Sequence, residues 1–147
     1  MTLLLQLAIG SLMIGMTTVL HAIALDFIIK HVHRLEVFFQ GATRYIWKPL
    51  ASAIVVVTIF TSHVLHIWLW AFLYLALGCE PINNFSDSLH FATVTYTTLG
   101  YGDITLGQSY RMLSGVEAAN GFILFGWTTA FIFEIISRIY KREVRSI

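Results

Sequence analysis

Three apolar stretches constrain this chain more than any other feature. They cover residues 2–29, 50–77 and 110–137. Each holds about 28 residues, so as a helix each reaches about 40 Å at ~1.5 Å per residue, against a hydrocarbon core of ~30 Å. A backbone crossing that layer finds no water, so it must satisfy its own hydrogen bonds, and a helix does this within one segment. Composition agrees: 57% of residues are apolar and 12% are charged, where a soluble domain carries ~25% charge. The expected fold is an all-α protein of the lipid bilayer with three transmembrane helices.

The first stretch does not read as a cleaved leader. No Lys or Arg precedes Lys30, and the apolar run exceeds the ~7–15 residues of a leader. Lys30, Arg34, Arg44 and Lys48 come after the first stretch, and Arg138, Lys141, Arg142 and Arg145 after the third. Only Arg111 lies elsewhere. The positive-inside tendency puts both basic groups in the cytoplasm, which leaves the N-terminus outside and the C-terminus inside. Glu80, Asp87 and Asp103 then fall on the outer side. The net charge of +1 averages two faces and gives no sign of nucleic-acid binding. Cys79 is the single cysteine, which rules out an intrachain disulfide.

These signals divide the chain into an N-terminal transmembrane helix (1–29), a basic interfacial linker (30–49), a central module (50–139) and a short basic cytoplasmic tail (138–147). In the linker, Tyr45 and Trp47 beside Arg44 and Lys48 suit a short interfacial helix that turns at Pro49. Within the module, residues 50–77 form an outer helix and residues 110–137 an inner helix. Between them, Gly78 to Asn84 is a loop by its Gly, Pro and Asn content. Asn84 or Ser86 can cap a short helix over 86–97, with Asp87 favouring its positive end. That helix is ~18 Å long and crosses only half the hydrocarbon. It must re-enter the outer side and stop.

At its end the chain reads Thr97-Thr98-Leu99-Gly100-Tyr101-Gly102-Asp103. Alternating glycines open dihedrals closed to other residues. Successive carbonyls can then point one way and replace the water shell of a cation. In this setting residues 98–102 resemble the selectivity filter of tetrameric potassium channels. Outer helix, pore helix, filter and inner helix together resemble that family's pore module, with a third membrane segment ahead of it, as in some small bacterial channels.

The resemblance implies a potassium-selective ion channel, with passive K+ transport through backbone carbonyls of Thr98, Leu99, Gly100, Tyr101 and Gly102 from four subunits. It implies a homotetramer in a bacterial inner membrane, K+ as the bound ion, and neither an enzyme activity nor a small-molecule substrate. Leu99 stands where the family usually has valine. Asp103 matches the acidic residue after the filter, and Val94 stands where some members place a glutamate. Gly121 matches the inner-helix hinge, and Gly126 a second glycine. Asp103 and Glu117 are expected to support the filter. With ten residues after Ser137, no large cytoplasmic regulatory domain is expected there.

His63 and His66 lie three apart on one helical face, and His21 lies in the first span. Ionisable groups within a membrane segment are functional candidates by default. Two readings stand: neutral hydrogen-bonded histidines, or a metal or proton site that Asp26 orients or joins. The second gives a pH- or metal-regulated channel. Glu134 pairs with Arg138 at i,i+4 or faces the inner vestibule. Rival functions are a weakly selective cation channel, a potassium uptake transporter, which needs four such repeats in one chain, and an intramembrane hydrolase using Ser62 and His66, which lacks an oxyanion hole. The first segment contains no arginine ladder, so it is no voltage sensor.

Overall fold

The computed structural model describes residues 1–38 and 46–141. Four helices make up most of them: α1 (Leu3–Phe38), α2 (Trp47–Leu77), α3 (Phe85–Tyr96) and α4 (Arg111–Lys141). No strand occurs among the described residues. Among the described residues, three segments are long and apolar enough to cross a membrane: Leu3–His31, Trp47–Leu77 and Arg111–Tyr140. This is an all-α, multi-pass membrane fold.

Helix ends differ from the sequence expectation in ways the local chemistry explains. α1 does not stop at residue 29. No Gly or Pro interrupts residues 30–38, and Asp26 pairs with Lys30 one turn on at 2.5 Å, an i,i+4 contact that supports the helix. Asp26 is therefore tied to the exposed flank of α1 and does not join the histidines. Nor does the chain turn at Pro49. Ile46 is the N-cap of α2, so Pro49 falls in the first turn, where its missing N–H would have had no intrahelical acceptor. The interfacial helix expected over 30–49 is, as far as Phe38, a continuation of α1. Residues 39–45, with Arg44 and Tyr45, lie outside the described residues, as does the end of the tail (142–147). α4 continues to Lys141 beyond the expected end at 137.

The short α3 matches its expected length closely. Of the two capping residues considered, Asn84 does the capping. Its side chain accepts the Asp87 N–H at 2.9 Å and donates to the Asp87 carboxylate at 2.9 Å, so two N-terminal groups satisfy each other. α3 runs antiparallel to α2. Ser88 Oγ donates to the Ala71 carbonyl at 2.6 Å near its start, and Tyr96 reaches His66 and His63 at its end. His63 is near the middle of the 31-residue α2, so α3 stops about halfway along it.

α1 lies parallel to α4. Gln6 Oε1 accepts the Met112 N–H at 3.1 Å, Asn120 Nδ2 donates to Thr17 Oγ1 at 2.9 Å, and His21 meets Thr128 at 3.1 Å. The sequence offset across these contacts stays between 103 and 107, which only parallel helices allow. A Cβ on Gly10 would lie 2.7 Å from Val116 Cγ1, so this glycine allows the close approach without any small-xxx-small pair. A Cβ on Gly15 would meet nothing within 4 Å.

Two apolar cores result. One joins Trp70, Tyr74, Phe91, Tyr96 and Leu113, and the other joins Leu25, Val55, Ile59 and Ile135. Large apolar side chains such as Leu12, Phe60, Phe122 and Phe133 remain uncovered. In water such a surface would drive association, whereas in a bilayer lipid solvates it.

Candidate functional site

Residues 98–102 leave the end of α3 with an unusual backbone. Thr98, Gly100 and Gly102 have φ of 60°, 56° and 76°, whereas Leu99 and Tyr101 keep negative φ. Positive and negative φ thus alternate along the run. In an ordinary strand successive carbonyls point to opposite sides; switching the sign of φ at every second residue turns them toward one side. Glycine takes a positive φ without penalty. Thr98 is β-branched and does not, so this one residue carries strain of about 1–3 kcal/mol.

The amides of this segment turn back toward α3. Leu99 N–H and Gly100 N–H both donate to the Val94 carbonyl, at 2.9 and 3.2 Å, and Thr98 N–H donates to Thr95 O at 2.9 Å. Val94 thereby acts through its backbone. The carbonyls of residues 98–102 accept no hydrogen bond among the described residues. Five acceptors in a row are left for another partner. Leu99 and Tyr101 are 57% and 68% exposed. A cavity of about 770 Å³, lined by Val94, Thr98, Gly102, Arg111 and Ala118 among others, separates the run from α4.

Asp103 ties the end of the run to α3. Its carboxylate meets His90 Nε2 at 2.6 Å on the protein surface. That hydrogen bond holds the Asp103 carboxyl below its ordinary value. His90 carried no sequence signal, since one histidine in an amphipathic helix has many uses. Glu117 is fully buried, but its bond does not run to residues 98–102. Tyr74 Oη on α2 donates to Glu117 Oε2 at 2.6 Å, and Oε1 has no partner. Glu117 thus fastens α4 to α2 behind α3. Glu134 pairs with Arg138 at 2.6 Å, the i,i+4 pairing expected. Cys79 is buried, and burial pushes its thiol up to about 11.

Gly121 is where α4 meets the end of α3. A Cβ there would lie 2.0 Å from the Tyr96 carbonyl oxygen and 2.9 Å from its carbon. α4 runs unbroken through Gly121 and Gly126. A Cβ on Gly126 would meet nothing within 4 Å. Gly121 therefore has a packing role that the hinge expectation did not include.

The three membrane histidines converge in a polar layer between the two cores. All are buried. Ring centroids are 5.1 Å apart for His21–His63, 5.6 Å for His21–His66 and 5.8 Å for His63–His66. Tyr96 Oη lies 3.0 Å from His63 Nδ1 and 3.2 Å from His66 Nδ1. Thr128 Oγ1 lies 2.8 Å from His63 Nε2 and 3.1 Å from His21 Nε2. A continuous chain His66–Tyr96–His63–Thr128–His21 links all four helices. The spacing of His63 and His66 was legible. Their partners were not, because Tyr96 and Thr128 are ordinary residues in sequence and only helix register brings them in. Ser62 is buried on the same helix as His66 but makes no hydrogen bond to it among the described residues.

A family model described as an ion channel matches residues 53–138, well over half of the chain. No curated protein and no solved structure matches it.

Proposed function

The chain belongs to the ion channel family, whose members let ions pass down their gradient, and on that premise we propose that it is one subunit of a homotetrameric potassium-selective channel. The observation that carries this reading is the segment 98–102, with its alternating sign of φ and five unbonded carbonyls. At membrane depth an irregular backbone is tolerated only where it is buried in protein or lines a water-filled cavity, and the exposure of this run favours the second. Carbonyl oxygens in series can take the place of water around a dehydrated cation, and repulsion between successive ions moves them along. The Thr98 hydroxyl adds an oxygen at the inner end.

One subunit supplies one strand, and a ring of oxygens needs four. The exposure of Leu99 and Tyr101 and the open groove beside them fit a surface that neighbouring subunits cover. The end of α3 points its negative dipole toward the run, which favours a cation there. The distribution of basic residues favours an outer N-terminus and a cytoplasmic C-terminus. The inner helix would line the water-filled cavity, with bending near Gly121 and Gly126 as the gate.

The test is flux from liposomes containing the purified chain, with K+ and Na+ gradients imposed in turn. The expected result is K+ efflux that far exceeds Na+ efflux and is abolished by Gly100→Ala, because a Cβ disfavours φ near +56°. Equal K+ and Na+ flux would replace this reading with a weakly selective cation channel. A monomer in native lipid would overturn it.

A further inference from the structure

We propose that His21, His63 and His66 form a buried binding site for one divalent transition-metal ion of the zinc class, with Tyr96 and Thr128 positioning the rings. One ring nitrogen from each histidine lies within 4.8 Å of the others. A tetrahedral site with Zn–N near 2.0–2.1 Å needs nitrogens about 3.3 Å apart, so each ring moves inward by about 0.8 Å.

The second observation is an unpartnered nitrogen. His21 is fully buried and its Nδ1 has no hydrogen-bond partner. Tautomers explain why this matters. With all three rings neutral and each hydroxyl donating once, the chain His66–Tyr96–His63–Thr128–His21 runs in one of two directions. In one, His21 Nε2–H donates to Thr128, and Nδ1 carries a bare lone pair. In the other, His66 Nδ1–H donates to Tyr96, and His66 Nε2 carries it. Either way, one end of the chain presents a buried imidazole lone pair, which is a metal ligand without a proton to lose.

One bound arrangement keeps nearly every hydrogen bond. In it, His21 Nδ1, His63 Nε2 and His66 Nε2 would hold the metal. His21 Nε2–H donates to Thr128, and the Nδ1–H groups of His63 and His66 both donate to the Tyr96 oxygen. Each imidazole still carries one proton, so none is released. Only the His63–Thr128 bond is given up. Orientation of ligand rings by a bond to the far nitrogen is how proteins tune such sites. Three imidazoles suit zinc, copper or nickel and do not suit K+, Mg2+ or Ca2+, which take oxygen. Phe125 and Trp127 pack on His63 and His21, with centroids at 4.5 and 5.4 Å, and form an apolar wall around the site. The fourth position is left to a water molecule.

Occupation would fix Tyr96, the last residue of α3 and two residues from Thr98. Any effect on ion flow rests on the channel reading above, but metal binding does not. The full chain, purified in detergent and stripped with a chelator, is titrated with Zn2+ by calorimetry and with Co2+ by absorption. The expected result is one metal per chain, with the intense visible bands of tetrahedral Co2+. His21→Ala, His63→Ala and His66→Ala should each abolish these bands. Tyr96→Phe should weaken binding roughly 10–100-fold, and His90→Ala on the surface should leave it unchanged. X-ray absorption of the wild-type zinc form must show three imidazoles, a readout that needs no variant to fold. Absence of binding, a coordination shell with fewer than three histidines, or retention of the metal by the three alanine variants overturns the proposal. A chain that binds zinc yet passes no potassium would refute the channel and leave this site standing; the converse result would do the reverse.

Discussion

Replacing Gly121 with alanine separates two roles for one residue. The new Cβ would sit 2.0 Å from the Tyr96 carbonyl oxygen, whereas ordinary contact begins near 3.4 Å. Something must move by about 1.4 Å, the difference of those two distances. The obstacle is backbone, and Tyr96 is held by His63 at 3.0 Å and by the Phe125 ring at 5.5 Å. If α4 retreats, it pulls on the Tyr74–Glu117 bond at 2.6 Å. If the carbonyl swings, it carries Thr97 and Thr98 with it. Overpacking usually costs about 1–3 kcal/mol, and a backbone obstacle puts this site at the upper end. Alanine returns about 1 kcal/mol in helix propensity. The net expectation is a loss of about 2 kcal/mol.

Gly126→Ala is the paired control, since it meets nothing within 4 Å in the subunit and should stabilise α4 by up to about 1 kcal/mol. Unfolding of both variants in detergent, followed by intrinsic fluorescence, reads the contrast, and liposome flux shows whether the displaced carbonyl disturbs conduction. The hinge reading predicts instead that Gly121→Ala shifts open probability at unchanged stability. A Gly121→Ala protein that unfolds with the wild-type midpoint and conducts K+ at the wild-type rate would refute the packing argument.

Buried and surface pairs give two further expected outcomes. Tyr74→Phe leaves the Glu117 carboxyl without a partner in the interior and should cost about 1–3 kcal/mol, read as a lowered unfolding midpoint; an unchanged midpoint would show that Glu117 finds another partner. The His90 bond holds the Asp103 carboxyl below its ordinary value, so this pair stabilises the fold above the usual carboxyl range and loses that contribution as pH falls through the lowered value. The stability gap between wild type and His90→Gln should therefore close on acidification, and a constant gap along the acid branch would contradict it.

Sequence reading succeeded where one residue type carries one physical meaning. Long apolar runs can only be membrane spans, and Gly100 and Gly102 mark positive φ because few other residues accept it. It failed at boundaries without punctuation. Nothing between Lys30 and Phe38 breaks a helix, and Pro49 looks like a stop although it fits a first turn equally well. Within the site, His63 and His66 were visible as a pair because i,i+3 spacing is a property of one helix. The convergence of His21, Tyr96 and Thr128 on them depends on the register between helices, which no local pattern encodes. The same holds for Gly121, whose contact with Tyr96 arises from how α4 crosses the end of α3. Glu117 was singled out as a support for residues 98–102, but its partner Tyr74 lies on a helix where any of several aromatics could have served.

The row of contacts along α1 bears on what can be removed from this protein. Gln6 satisfies an amide at the start of α4, and Thr17 and His21 satisfy Asn120 and Thr128 further down. A shortened chain beginning at residue 46 would keep both flanking spans and the loop between them, yet it would leave Asn120 without Thr17 and the Met112 amide without Gln6, while Thr128 would keep only His63. The minimal two-span unit is thus not self-sufficient in this sequence. The additional helix acts as a polar lining for its neighbour, and dispensing with it would require rewriting that flank of α4 in apolar residues.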